Sequence, residues 1–426
     1  MAEDCTVVRF ARDPSQVRIE TLKRQGESPD KFSDAAKFGP FYAFCIALSI
    51  GTYILDLVLA IILLYFYTVH GYGLYFALTL SFMVIPALFM STISLRWYII
   101  DHDDASLGHT STIQWSVRMI FLLLQLAPLL RYIDTLIYGI RSKIAAATDN
   151  ETKHAILYRR MLDEDTNSAL LRLFHTFLHS APQAVIQLVF LLWQIGHPDN
   201  QELNIKIAVL QAWTVLSALM SIAWSLTSYH RSVRYSRDDK DKIKWTGLLV
   251  NFCWQLMSAL SRVLALSLLA SVFPVWVCCV CALHWGVWWA WLALGQHQTA
   301  ACGSRCDEIM LSAALGLAYV VAFVSPRDGP TRYVYLAYYL VCFMENTAAL
   351  VVWCVANNSV ENPLLYYGAA GGQVATFMLA ISFLLIYYKY CHPSLVNRSK
   401  IPCSDSDYLD SDKPGYSKSY NVRTRS

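Results

Sequence analysis

The sequence predicts an all-α protein that crosses a membrane about eight times, with two further helices inserted only part of the way. Three observations carry that expectation. Of 426 residues, 56% are hydrophobic and only 15% charged, where a soluble domain carries roughly 25% charged residues. Eight apolar runs approach or exceed the ~20 residues a helix needs to cross the hydrocarbon core. Basic residues gather in alternate loops. The composition excludes a disordered chain, which needs low hydrophobicity and high charge. It argues against a soluble enzyme, because so much apolar surface cannot be hidden in ordinary cores. With 34 basic against 31 acidic residues and a net charge of +3, nothing points to nucleic acid as a partner.

Residues 1–40 hold seven Lys/Arg and seven Asp/Glu and no apolar stretch with a small-residue cleavage site. They read as a cytoplasmic N-terminal segment, and the first span as the insertion signal. The membrane domain is expected over 41–391, with spans at 41–68, 72–95, 170–195, 203–228, 245–272, 309–324, 333–356 and 364–388. Segment 113–140 carries Arg118, Pro128, Arg131 and Asp134, and 274–294 follows a span after almost no loop. Both read as re-entrant or partly inserted helices, which are tolerated where they pack against protein. Loops 141–165 and 229–244 and the tail after Tyr388 are rich in Lys and Arg, whereas 70–71, 196–202 and 357–363 have none. The positive-inside rule then places both termini in the cytoplasm. Residues 392–426 read as a flexible tail.

The twelve cysteines are scattered, several within apolar runs, where Cys behaves as a small hydrophobe. Cys302 and Cys306 fall outside the membrane in this topology and could form a local disulfide; a zinc site would need two more nearby ligands. Asn357-Asn358-Ser359 is a glycosylation sequon on the same side. Cys391 and Cys403 follow the last span, where palmitoylation is conceivable. There is no Walker A motif, and no metal or other cofactor is expected.

Charges inside spans are costly and mark partners, cavities or paths. Asp56 lies in the first span, Arg262 in the fifth, and Glu345 in the seventh. The third span carries Arg172, His175, His179, Gln183 and Gln187. At 100° per residue these five share an arc of about 120°, and the stripe runs ~22 Å along the axis. Pro182 within it should kink the helix. Periodicity leaves several readings open: hydrogen-bonded glue between helices, a metal site on the His175/His179 pair, an ion or proton path, or a track for lipid headgroups.

The stretches "SALLRLFHTFLHSAPQ" (168–183), "SYHRSVR" (228–234), "SRVLALSLLASVFPVWV" (261–277), "MENTAALVVW" (344–353) and "YYKYCHPS" (387–394) resemble, in order and spacing, the XK family of membrane proteins, whose best-defined members are phospholipid scramblases. The resemblance covers residues 40–395. It implies an eight-span fold with two re-entrant helices, and passive exposure of phosphatidylserine at the plasma membrane. Asp56, Arg172, Arg231, Arg262 and Glu345 match polar positions of the family, while His175, His179 and Ser228 stand where its scramblases often carry acidic residues. Imidazoles there would make a path less negative and open to pH. The tail holds Asp407-Tyr408-Leu409-Asp410 followed by Ser411, similar to the executioner-caspase sites that activate some members. The partners implied are membrane phospholipids, an executioner caspase, and a single-span accessory subunit or lipid-transfer protein. The rival reading is a non-transporting membrane scaffold that docks such a partner.

Overall fold

Glycine and proline set the ends of the first helix, α1 (Pro40–His70). Pro40 occupies the first turn, where its fixed φ suits a helix and its missing N–H costs nothing. Gly71 ends the helix at φ 74°, and its N–H returns to the Tyr67 carbonyl, the left-handed stop that glycine makes without strain. The chain turns straight into α2 (Gly73–Asp103), which runs on through Pro86. The computed structural model describes residues 38–103, 112–124, 126–148, 150–196, 201–235, 243–295, 305–324, 332–356 and 363–391, and among these there is no strand.

The remaining helices are α3 (Thr112–Leu123), α4 (Ala127–Ala147), α5 (Glu151–His175), α6 (Ala181–Gly196), α7 (Gln201–Tyr235), α8 (Trp245–Val272), α9 (Pro274–Gly295), α10 (Arg305–Ala318), α11 (Arg332–Ala356) and α12 (Pro363–Ile386). A π turn, Thr176–Ser180, joins α5 to α6, and a second, Tyr387–Cys391, extends α12. The first π turn immediately precedes Pro182, which has no N–H for the carbonyl four residues back. The kink expected at Pro182 is thus taken up as a wide turn, and α5 and α6 form a single run of 44 residues between Glu151 and Gln194.

Eight helices are long and apolar enough to cross a membrane, but their set differs from the expected one. Pro274–Leu294 joins it, and 309–324 leaves it. The helix covering that stretch, α10, has 14 residues, ~21 Å at 1.5 Å per residue, against a hydrocarbon core of ~30 Å. Residues 319–324 then leave the helix, although every one of them is buried. Segment 113–140 consists of two helices, α3 and α4. One further expectation is corrected: 141–165 is no loop, since α4 runs to Ala147 and α5 starts at Glu151, and the two pack as a helical hairpin. Its buried residues Tyr132, Thr135, Gly139, Ser142 and Ala145 face His154, Tyr158, Met161 and Asp165 at helical spacing. Pattern reading missed the hairpin because its seam is made of polar and small residues.

Large apolar side chains cover the outside. Ile61, Tyr65, Ile85, Val275, Leu283, Val355 and Met378 are each more than half exposed, a surface that water does not tolerate and lipid does. In α12 only 11% of the apolar window is buried inside the protein. The core is made by α2, α5–α8 and α11, with Trp254, Tyr319 and Tyr338 among its large fully buried side chains. Where α9 meets α10, a Cβ on Gly316 would stand 3.1 Å from the Trp289 backbone nitrogen. Replacing Gly316 by Leu should force these helices apart and cost roughly 1–3 kcal/mol. A fall in the melting temperature of the detergent-purified protein, with Gly368→Leu, where nothing lies within 4 Å, unchanged, is the expected outcome.

Candidate functional site: a buried polar seam across the bundle

The polar stripe of α5–α6 faces α1, α2 and α7. At its middle, Arg172 lies 3.8 Å from Asp56. It donates to Thr52 at 3.3 Å, to the Ser221 hydroxyl and to His175 Nδ1 at 3.1 Å. Asp56 in turn accepts from Ser180 at 2.8 Å and Ser217 at 2.6 Å. The π turn sets Ser180 and His179 beside α1 and α2: His179 Nδ1 donates to the Phe82 carbonyl at 2.8 Å. Towards the far end Gln183 donates to the Thr79 carbonyl at 3.1 Å, and Gln187 to Gln183 Oε1 at 3.0 Å. Tyr67 donates to Gln187 and accepts from Gln211.

The other end of the seam is closed by a second ion pair. Arg231 of α7 meets Asp165 of α5 at 3.2 Å, over the ring of Tyr42, 4.5 Å from its centroid. Tyr42 and Ser232 each donate to Asp165 at 2.6 Å. From Gln211 to Arg231 is ~30 Å of helix, so the seam spans the whole hydrocarbon thickness. It is occluded along its length: Arg172, His175, His179, Gln183 and Gln187 are 0–5% exposed.

Several members lie outside the stripe read from the sequence. Ser217, Ser221, Ser228 and Ser232 recur on one face of α7, within about 60° at 100° per residue, and all are buried. That ladder of hydroxyls was legible as spacing, but serine carries too little hydropathy penalty to draw notice. Tyr42 drew no notice because aromatics are common near the ends of spans, and Asp165 sat in what read as a loop. Ser228 Oγ, the Tyr132 hydroxyl, Arg172 Nε and two nitrogens of Arg231 are buried with no hydrogen-bond partner. His175 accepts from a guanidinium, so its Nδ1 carries no proton there, and a second cation would stand beside the first. Among the described residues no three His, Cys, Asp or Glu side chains converge as metal ligands.

Arg262 and Glu345 do not join this seam. They form a separate network with His284, which sequence reading did not single out. Arg262 pairs with Glu345, donates to Asn346 Oδ1 at 2.9 Å, and donates through Nε to the Val320 carbonyl at 2.7 Å. His284 places Nδ1 3.0 Å from Glu345 and Nε2 3.0 Å from the Tyr319 carbonyl. The two carbonyls belong to the segment that leaves α10 at Ala318. A non-helical backbone at this depth must have its polar groups satisfied by protein, and the helix C-terminus favours cations. Arg262 supplies the cation and, with His284, the hydrogen bonds to these carbonyls, which is why α10 can end within the bundle. Leu269, Phe273, Trp276, Val280 and Val352, with Glu345, line a cleft of about 380 Å³ on this side.

Cys302 and Cys306, the sequon at Asn357, and Asp407, Asp410 and Ser411 of the tail lie outside the described residues, or have side chains outside them. Removing one member of the Arg262 network should be far worse than neutralising its partner. Arg262→Ala leaves the Val320 carbonyl and Asn346 Oδ1 without their donor and Glu345 without its guanidinium, and should cost on the order of 3–5 kcal/mol. Glu345→Gln keeps a hydrogen-bond acceptor and should cost less. Monodisperse yield and melting temperature after detergent extraction rank the two.

The comparisons with known proteins agree with this architecture. The model of the XK-related protein family matches residues 44–393. Cell death abnormality protein 8 of Caenorhabditis briggsae is 27% identical over 369 residues, covering 83% of this chain and 79% of that protein. Its counterpart of the same name in Caenorhabditis elegans is 26% identical over 368 residues, with the same coverage. The chain is a multi-pass, all-α membrane protein, and it belongs to the XK-related family.

Proposed function

We propose that the protein is a phospholipid scramblase of the plasma membrane that exposes phosphatidylserine during apoptosis. The observation that carries this reading is the polar seam running the full thickness of a membrane bundle in an XK-related chain. The names of the matched nematode relatives, which refer to cell death, support the apoptotic setting. A zwitterionic headgroup cannot enter hydrocarbon unpaired. The seam offers guanidinium at Arg172 and Arg231, carboxylate at Asp56 and Asp165, and hydroxyls and amides between them, a set that could solvate phosphate and amine in turn. Transport would be passive. The unpartnered donors on Arg172, Arg231, Ser228 and Tyr132 are groups a phosphate could take.

The resting seam is closed, so a switch is required. We assign it to cleavage after Asp410 by an executioner caspase, before Ser411, in a tail that the basic-loop pattern places with the N-terminus in the cytoplasm. Arg262, Glu345 and His284 act as bracing and not as part of the route. A specific observation also favours the rival reading: every side chain of the α5–α6 stripe is buried and already makes a hydrogen bond within the bundle, as in a scaffold that docks a single-span subunit or lipid-transfer protein.

Surface annexin staining of expressing cells, before and after an apoptotic stimulus, tests the switch. Staining should appear with the stimulus and vanish in Asp410→Ala. Reconstitution tests the transport: the chain truncated after Asp410 should render outer and inner fluorescent lipids alike accessible to dithionite. Ser217→Val, which removes one hydroxyl from Asp56 but keeps the ion pair, should slow this several-fold. A truncated, folded protein without lipid exchange would favour the scaffold.

A further inference from the structure

The end of the seam that the basic loops assign to the cytoplasm is rich in hydrogen-bond donors that have no acceptor. Arg231 reaches Asp165 through Nη2 alone, at 3.2 and 3.3 Å. Its Nε and Nη1 are buried without a partner, as are Ser228 Oγ and the Tyr132 hydroxyl. Ser228 lies one turn before Arg231 on α7. Tyr132 packs in one cluster with Tyr42 and Tyr235, the two rings that flank the Arg231 guanidinium at 4.5 and 5.8 Å. Arg231, Ser228 and Tyr132 are 1–2% exposed.

The carboxylate beside them is already full. Asp165 accepts from Tyr42 and Ser232 at 2.6 Å as well as from Arg231. Asn251 of α8 leaves an acceptor unused, but beside His230, whose side chain leaves α7 about 100° away from that of Arg231. The opposite end of the seam differs: Gln211 leaves its Oε1, and Gln194 its whole amide, without a partner. The seam is therefore polarised, with spare donors around Arg231 and spare acceptors around Gln211. Only rings separate Arg231 from the membrane boundary. Tyr235 ends α7 and is partly exposed, so a rotation of its side chain uncovers the guanidinium without unwinding a helix.

We propose that Arg231, Ser228 and Tyr132 form a carboxylate site that takes the serine carboxylate of phosphatidylserine as the lipid enters the seam from the inner leaflet. The inference rests on the scramblase reading and adds a headgroup preference to it. That carboxylate is what sets a phosphoserine headgroup apart from phosphoethanolamine, and a guanidinium flanked by hydroxyls is its complement. Asp165 keeps its bond to Nη2, so binding breaks no ion pair. Position 228 is a hydroxyl, so this face of α7 does not repel an anion. Arg172, two turns from Asp165 along α5, is left for the phosphate. Ethanolamine and choline headgroups bring only a cation to this end, where the acceptor is saturated.

The test reads binding rather than transport, on the full chain in detergent. Dihexanoyl phosphatidylserine, phosphatidylethanolamine, phosphatidylcholine, phosphatidylglycerol and the carboxyl methyl ester of phosphatidylserine are titrated while the melting temperature is followed. Phosphatidylserine should reach its half-maximal shift at about one tenth of the concentration the others need, the value of one hydrogen bond to a charged group. Tyr132→Phe with Ser228→Ala should bring the curves together. Tyr132→Phe alone removes a single hydroxyl that bonds to nothing; it should narrow the gap, and it carries the test if the double variant fails to fold. A methyl ester as potent as phosphatidylserine would put recognition on the phosphate, and an equally potent phosphatidylglycerol would reduce it to net charge. A preference that survives both variants would lie elsewhere, and no shift at all would mean no site; each of these overturns the proposal. The scramblase reading is judged separately by dithionite exchange: selective binding in a truncated chain that moves no lipid sinks that reading and keeps the site.

Discussion

A charge taken into hydrocarbon must meet its partner inside the protein, and this requirement organises the bundle. Three helices are tied at two levels by guanidinium–carboxylate pairs: α1 and α5 through Asp56 and Arg172, and α5 and α7 through Asp165 and Arg231. Each carboxylate is further held by hydroxyls donated from neighbouring helices. Buried pairs of this kind add little net stability over apolar packing, yet breaking one is expensive. Their effect is to fix register. A helix sliding by one turn would strand both ions, so the α1–α5–α7 arrangement admits a single alignment.

The same constraint explains the irregular half of the molecule. Helix α10 stops short within the bundle, and the next six residues are buried, the N–H groups of 319–322 still reaching back to carbonyls of the helix's last turn. That is tolerable because Arg262 and His284 take up the carbonyls of Val320 and Tyr319. Glu345 then balances the charge of Arg262. The clamp on α4, by contrast, stands near the end of the α2 span: Arg131 serves the Ser94 carbonyl and Glu164 together. Arg262 meets backbone freed where a helix ends, whereas Arg131 meets a carbonyl inside the unbroken α2; in both a carboxylate compensates the cation.

Much of this was legible in the sequence, and what was not has physical causes. Hydropathy found 245–272 at both ends, because apolar length is the membrane's own criterion, but it started the third span at 170 where the helix begins at Glu151, and ended the fourth at 228 where α7 runs to Tyr235. The α5–α6 stripe was visible because His, Gln and Arg are rare in spans. The exchange of 274–294 for 309–324 was not visible, since both runs are apolar and only the fit of Gly316 against Trp289 and the capping of residues 319 and 320 decide where helix ends. The α4–α5 hairpin was read as a loop because Ser142, His154 and Asp165 are polar although they pack as a core. Nor could sequence show that Arg262 and Glu345 stand apart from the seam; that depends on which helix faces which.

Occlusion of the seam and a role in lipid movement are compatible on energetic grounds. A dry groove lined by unpaired Arg172 and Asp56 would carry the full cost of two desolvated ions at rest. Pairing them stores the same groups at low cost. A phosphoethanolamine headgroup brings one anion and one cation, so it can exchange partners with such a pair: phosphate for Asp56 at the guanidinium, and amine for Arg172 at the carboxylate; phosphatidylserine adds a carboxylate, for which Arg231 and the seam's hydroxyls are the available donors. The number of compensated charges is unchanged before and after, and the barrier is reduced to separating α1 or α7 far enough for the headgroup to enter. Serine is suited to the positions between the pairs, since a hydroxyl can donate to a carboxylate in the closed state and to a phosphate in the open one without a change of charge. The ladder at Ser217, Ser221, Ser228 and Ser232 lies on the helix that would have to move.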